Sequence, residues 1–366
     1  MPVLAGIADR FSRDRPLAGI RIASTCRSTP AHAVLVATLE GGGATVEVAA
    51  ADAARDIELL DGLLDSRPHI LLDDGADAIG AAHAFRRDRL ADLLGATEAS
   101  ATGVLRLRAM ERVGGLAHPV IAIDEANTKR LFENRYGTGQ SAVDALLRST
   151  GLLLAGRTFV IAGYGQCGRG IAERARGFGC QVVVLEVDPI RALQAVFDGF
   201  RVMSAERAAP IGDIFCTATG APSVIRRQHL AAMRDGTVLM NVGHGLDEID
   251  VKALAGLAVA HGTPRDHVDE YTLGDGRRIA VVAQGQLANR AVGDGQPNAV
   301  VDLSLSNQAL CCAYLVRHGE RLDRRVYVVP DDIDREIARA KLAALGVRID
   351  ELRPDQAAAL AAWMPG

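Results

Sequence analysis

Three glycines carry the clearest chemical signal in this chain. Residues 158–170 read TFVIAGYGQCGRG, so Gly163, Gly165 and Gly168 stand as G-x-G-x-x-G between an apolar run and a helical pattern. In that setting the first glycine allows a tight turn and the second lets the backbone approach a pyrophosphate. The third lets the helix pack closely on the strand. Phosphates then meet the free N–H groups at a helix N-terminus. Gln166 and Cys167 complete this cofactor-binding loop. Glu186 ends the next apolar run, 21 residues past Gly165. A carboxylate there bonds a ribose 2′-hydroxyl and repels a 2′-phosphate, which points to NAD ahead of NADP. Arg191, which attracts a 2′-phosphate, pulls the other way.

Other groups need elements to position them. GIRIAST (19–25), ATVEVAA (44–50), HILLDDG (69–75) and PVIAI (119–123) read as strands separated by helical stretches. The pattern restarts with a helix over 140–153. Strands then follow at 158–165, 181–188, 213–219, 237–243 and 278–285. Strand–helix alternation predicts parallel sheets. The fold class is therefore α/β, with two doubly wound, Rossmann-like parallel-sheet domains. A short helical C-terminal segment (331–344, 355–363) is expected to stand apart.

Composition fits an ordinary globular protein, with 49% hydrophobic and 23% charged residues. Lys+Arg 41 against Asp+Glu 45 gives a net charge of −4, and no basic block marks a nucleic-acid partner. No leader or membrane span is expected, so the protein is expected to be cytoplasmic. The six cysteines form no CxxC pair and the histidines no ligand spacing, so reduced thiols and no metal are expected.

The stretch from LFENRYGTGQ through the glycine loop to LEVDPIRALQA resembles the centre of the S-adenosylhomocysteine hydrolase family. LLDDGAD (71–77), NVGHGLDEIDVKAL (241–254) and SNQAL (306–310) extend the resemblance from about residue 17 to about 350. It implies tightly bound NAD and a small-molecule nucleoside substrate. The implied reaction oxidises the 3′-hydroxyl to a ketone, removes the acidified C4′ proton and expels the 5′ substituent by β-elimination. Water then adds and the ketone is reduced back. It also implies the domain order, with a substrate domain over 1–135 and 296–330, an NAD domain over 136–295 and a helical segment over 331–366.

Residue by residue, the resemblance makes Lys129 the group that helps deprotonate the 3′-hydroxyl, with a lowered pKa to suit. Asn134 lies next to the nicotinamide, and Glu133 holds the ribose hydroxyls. Asp74 transfers a proton near C4′ and C5′, and His244 stands near the ribose and leaving group. Thr29 falls in the substrate site. Thr102, Asn289 and the loop of Thr217, Thr219 and Gly220 contact the cofactor. The plain readings of single residues are a helix cap for Asp74, a loop histidine for His244 and a surface charge for Lys129.

Departures from the family gather on the substrate side. Glu133 replaces an aspartate, and Ala99 a glutamate that binds the ribose, with Glu98 beside it as a substitute. Arg27 replaces a histidine at the 5′ end, and Ala31 a polar residue that reads adenine. Gln296 replaces the histidine of a GHP motif, and Thr138 a cysteine. Losing hydrogen-bonding partners from a built site costs far more than losing a methylene. The main expectation is accordingly a lyase of nucleoside-antibiotic (angustmycin-like) type, which expels water and leaves a 4′,5′-alkene. The alternatives are an authentic adenosylhomocysteinase, an inactive NAD-binding relative and a hydroxyacid dehydrogenase. A homo-oligomer is expected. The family's C-terminal tail has no counterpart here, which favours a dimer over a tetramer.

Overall fold

The computed structural model describes residues 1–49, 57–243 and 247–361. The first half supplies strands β1 (Arg21–Ser24), β2 (Thr45–Val48), β3 (Ile70–Asp73), β4 (Gly95–Glu98) and β5 (Val120–Ala122). The middle supplies β6 (Thr158–Ala162), β7 (Gln181–Leu185), β8 (Arg201–Val202), β9 (Ile214–Thr217) and β10 (Thr237–Asn241). It continues with β11 (Ala258–Arg265), β12 (Val268–Leu273) and β13 (Arg278–Val282). A last strand, β14 (Val326–Val328), follows the long helix Asn298–His318.

These strands form two sheets, ordered β14-β5-β4-β3-β1-β2 and β11-β12-β13-β10-β9-β6-β7-β8. The first is parallel throughout. The second contains the doubly wound order β8-β7-β6-β9-β10-β13, which places its topological switch point between β6 and β9. It is not wholly parallel, because β11 and β12 form an antiparallel hairpin and β12 runs antiparallel to β13. The sequence reading placed no strand over 258–273. Seven of the eight residues of β11 are exposed, so the strand lacks the apolar run that marks a buried one.

Each sheet is covered on both faces. Leu35, Leu39 and the N-terminal helix Pro2–Asp14 pack on one face of the first sheet, with Leu60, Ile79 and Leu107 on the other. Leu146 and Ile171 cover one face of the second sheet, Leu230 and Leu254 the other. The helix Asn298–His318 is long and apolar enough to cross a membrane by length and composition, yet most of it is buried in the first core.

The first helix of the C-terminal segment does not stand apart, whereas helix Pro354–Ala361 has no buried residue. Ile333 and Ile337 of helix Asp331–Ala344 belong to the first core. Asp334 accepts from the backbone N–H groups of Asn127 (2.8 Å) and Thr128 (3.0 Å). Lys341 reaches Asp302 at 3.0 Å, and the same carboxylate accepts from Leu4 N–H at 3.0 Å. One buried acid thus ties the N-terminal, long and C-terminal helices together.

Helix Gln166–Gly177 lies against Thr138–Thr150 and the segment before it, with no room for a side chain at the crossing. A Cβ on Gly170 would land on the carbonyl oxygen of Arg135. Overpacking of this kind costs about 1–3 kcal/mol. Gly170→Ala is therefore expected to lower the thermal midpoint measured by calorimetry, whereas Gly177→Ala, where the added methyl meets nothing, is expected to leave it nearly unchanged.

Candidate active site

The carboxyl-terminal edges of the two sheets meet around a cavity of about 680 Å³. Open parallel sheets bind ligands at these edges. The structure brings Arg27, Thr29, Asp74, Thr102, Lys129, Glu133, Asn134, Cys167, Thr219, Gly220, Asn289 and Gln296 to its walls, with Ala31, Ala99 and Thr138. Asp124, Arg290, Ser304 and Gln308 line it too. His244 lies outside the described residues.

Lys129 is almost wholly buried. Its Nζ donates to Asp124 Oδ1 at 2.6 Å and to Asn134 Oδ1 at 3.2 Å, and Asn134 Nδ2 donates to the same Asp124 oxygen at 3.0 Å. Residues 129 and 134 meet because Arg130–Gly137 forms a π-type turn. Its i→i+5 bonding is an insertion common at functional sites. The expected lowering of the Lys129 pKa is corrected by the structure. Burial alone pushes it down, but Asp124 and then Glu133 outweigh burial, and the pKa is raised. Ser304 donates to Glu133 from the long helix.

Asp74 follows β3 on a turn in which Gly75 (φ 114°) and Ala76 (φ 58°) both take left-handed conformations. Glu98 holds that turn. Its carboxyl oxygens accept from Gly75 N–H (2.9 Å), Ala76 N–H (2.8 Å) and Ser100 N–H and Oγ (both 2.7 Å). It is fully buried and does not line the cavity. Its expected role as a ribose ligand replacing the glutamate lost at Ala99 is thus corrected, since β4 turns the side chain into the core. Across the cleft, Arg290 Nη1 lies 3.6 Å from Asp74 Oδ2. Thr29 lines the cavity and caps helix Pro30–Gly41, accepting from His32 N–H at 3.1 Å. Gln296 donates to Thr138 at 3.3 Å.

On the other wall, Gly163 (φ 93°) makes the turn after β6, and a Cβ on Gly168 would land on the Gly163 carbonyl. Gly165 is the N-cap of helix Gln166–Gly177, and no side chain caps the helix. Glu186 sits at the end of β7 and accepts from Tyr164 N–H (2.7 Å), Val187 N–H (2.7 Å) and Asp188 N–H (3.0 Å). Arg191 lies between Asp188, at 3.9 Å from its Nε, and the glycine loop. Its Nη1 lies 3.9 Å from the position a Gly165 Cβ would take, on the phosphate side of the loop. Thr217 is buried and donates to Asn241 Oδ1 at 3.1 Å, away from the cavity. Thr219 and Gly220 are clamped by Glu248, which accepts from both backbone N–H groups (3.0 and 2.6 Å). A Cβ on Gly220 would collide with the Thr102 methyl group, so the two walls touch there.

These groups fit a dinucleotide. The cradle of Gly163 and Gly168 leaves a helix N-terminus open to phosphate, and Glu186 is held for a ribose diol. Asn289 Oδ1 and Gln166 Oε1 are buried without a partner among the described residues, and an amide oxygen of this kind suits a carboxamide donor.

A family model described as "S-adenosyl-L-homocysteine hydrolase, NAD binding domain" matches residues 134–295. Adenosylhomocysteinase of Aquifex aeolicus is 45% identical over 100% of this chain and 94% of its own length. The enzyme of the same name from Archaeoglobus fulgidus is 46% identical over 100% and 96%. The chain belongs to the adenosylhomocysteinase family. It is an NAD-dependent enzyme of that family. S-inosyl-L-homocysteine hydrolase of Methanocaldococcus jannaschii is also 45% identical, over 100% and 94%. Among solved structures, a dipicolinate synthase chain from Bacillus halodurans shares the fold at TM-score 0.51 and 12% identity, covering 82% of this chain and 99% of that one.

Three residues that sequence reasoning missed stand out against the family resemblance. Glu248 lies inside the EIDV motif, which marked the segment but not the carboxyl group that holds Thr219 and Gly220. Asp124 and Arg290 sit beside the motif residues Lys129 and Asn289, and only the fold shows that they touch functional groups.

Burial, then Asp73 and Asp74, push the Glu98 carboxyl up to about 8, against the pull of the Gly75 and Ser100 donors. A carboxyl whose pKa is raised in the folded state stabilises the fold fully below its unfolded pKa and loses that contribution as pH rises through the folded value. The thermal midpoint is expected to fall as pH rises from about 4.5 towards about 8 and to level off above that. Glu98→Gln is expected to be less stable throughout and to lack that slope.

Proposed function

We propose that this enzyme cleaves the 5′ substituent from a purine nucleoside by transient oxidation at C3′, with a homocysteine thioether as the departing arm. The observation that carries the reading is the triangle of buried Lys129 with half-buried Asp124 and Asn134, set beside Cys167 and Asn289 in one cavity with Asp74. The names of the relatives support the thioether, since they specify adenosyl and inosyl homocysteine.

NAD, when bound, supplies the hydride acceptor for C3′ and the hydride for the closing reduction. Lys129 takes the 3′-hydroxyl proton as it passes one of its own to Asp124, so the lysine stays an ammonium and the added proton rests on the carboxyl group. Asn134 fixes the accepting oxygen of Asp124. Glu133, oriented by Ser304, holds the ribose hydroxyls. Asp74 takes the C4′ proton that the adjacent ketone acidifies, and the C5′–S electrons leave with sulfur. Addition of water across the resulting alkene returns the C4′ proton and places a hydroxyl at C5′. Reduction of C3′ then completes hydrolysis. The contact of Thr102 with Gly220 narrows the cavity on the cofactor side.

A second reading is supported by Ala99. It lines the cavity while Glu98 is turned into the core, which leaves room beside the sugar for an extra substituent. Here the departing group is the 5′-hydroxyl as water and the product is the alkene.

Mass spectrometry of the NAD-loaded protein tests both. Offered adenosylhomocysteine and its inosine counterpart, it is expected to release homocysteine. Loss of water from a 5′-hydroxyl nucleoside, with no homocysteine released, would overturn the first reading in favour of the second. Lys129→Met is expected to lower kcat by on the order of 10²–10⁴.

A further inference from the structure

We propose that Arg27 and Arg290 form an anion subsite at the 5′ end of the cavity, holding a carboxylate or phosphate on the substrate's departing arm. The inference deepens the proposed function and rests on it for the placement of the nucleoside.

The two cations arrive from opposite walls. β1 and β3 are parallel neighbours with Ser24 beside Leu72. Thr25 continues the pairing, with Thr25 N–H on Leu72 O at 2.9 Å and Thr25 Oγ1 on Asp73 Oδ1 at 2.6 Å. Cys26 and Arg27 therefore leave β1 alongside Asp74 leaving β3. Arg290 comes from the cofactor-side helix Ala288–Ala291 and approaches Asp74 at 3.6 Å, too far for a hydrogen bond. Arg27 is exposed, lines the same cavity and makes no ion pair among the described residues.

Most carboxyl groups near this end are already engaged: Asp73 accepts from Thr25 Oγ1 and Ile79 N–H, and Glu98 from Gly75 and Ala76 N–H. Asp124 is taken up by Lys129 at 2.6 Å, and Glu133 by Ser304 and the field of Lys129. Asp294 is bonded to Arg148 at 3.0 Å. Asp74 lies 3.6 Å from Arg290, and Arg27 lines the same cavity. An arginine presents a planar fork of donors that matches a carboxylate or phosphate. A neutral 5′-hydroxyl offers such a pair a single uncharged acceptor, whereas an amino-acid arm brings a carboxylate. Because the cations stand on different walls, an anion held by both would also draw the walls together.

The test uses the NAD-loaded full chain, with calorimetric binding and kcat/KM measured side by side. The ligands are adenosylhomocysteine, its decarboxylated analogue, 5′-methylthioadenosine and adenosine 5′-phosphate, each with its inosine counterpart. The wild type is expected to bind at least one anionic arm about tenfold or more tightly than the neutral ones, with the ratio shrinking as salt rises. A gain for the carboxylate alone marks an amino-acid arm, and a gain for the phosphate alone a phosphorylated nucleoside. Arg27→Gln and Arg290→Gln are each expected to cut the anionic-to-neutral ratio severalfold, and Arg290→Lys to restore part of it. Equal binding of neutral and anionic arms by the wild type would overturn the subsite, as would substitutions that weaken every ligand alike. An arginine-dependent anion preference without turnover of any nucleoside would overturn the proposed reaction and leave the subsite standing. Failure to bind any of these nucleosides would overturn both.

Discussion

A buried ammonium beside a half-buried carboxylate is the constraint around which this wall of the cavity is built. Taking Lys129 and Asp124 out of water is costly, and removing one partner of such a pair costs about 3–5 kcal/mol because the other charge is stranded. Four elements converge to keep the pair together. The end of β5 delivers Asp124. The π-type turn delivers Asn134 to bridge the two charges. The long helix adds Ser304 against Glu133 and Asn307, whose Nδ2 donates to Thr128 at 2.8 Å. The C-terminal helix, through Asp334, satisfies the N–H groups that begin the lysine's own segment. Lys129 is rigid because every neighbour that places it is itself bonded.

The two walls solve one local problem in the same way. Each presents a loop whose backbone could not hold its shape unaided, and each secures it with a buried carboxyl group. Glu98 takes the successive N–H groups of Gly75 and Ala76, and Glu248 those of Thr219 and Gly220. Gly75, Ala76 and Gly220 all have positive φ. One loop aims Asp74 and the other closes over the cofactor side, so the two acids act on the chemistry without touching it.

Much of this was legible in the sequence, for identifiable reasons. The glycine loop and Glu186 are encoded locally, within one strand–helix–strand unit, and the structure forms the turn their spacing describes. Alternating apolar runs announced both sheets, because parallel strands buried on two faces leave a strong signature. The hairpin of β11 and β12 left none, since its outer strand is exposed. Glu98 was misread because adjacent residues at a strand end point to opposite faces, and pairing with β3 fixes which one faces the cavity. The direction of the Lys129 pKa was misjudged because Asp124 attracted no notice until the fold set it 2.6 Å away. Arg290 is silent in sequence for the same reason, since its partner Asp74 belongs to the other sheet.

The placement of β14 has a consequence for how the chain reaches this state. Val326 pairs with Val120 and Val328 with Ala122, so the first sheet gains its edge strand only after the whole second sheet has been made. The helix Asn298–His318, which fills the first core, arrives equally late. The second sheet is contiguous in sequence and closes with short loops, so during synthesis it can assemble while the first remains open on one side. Closing a long loop costs entropy before any contact rewards it, and contacts of high sequence separation slow folding. The half built on the first sheet is therefore the last to become native, and it must wait for a folded neighbour to bring its two ends together.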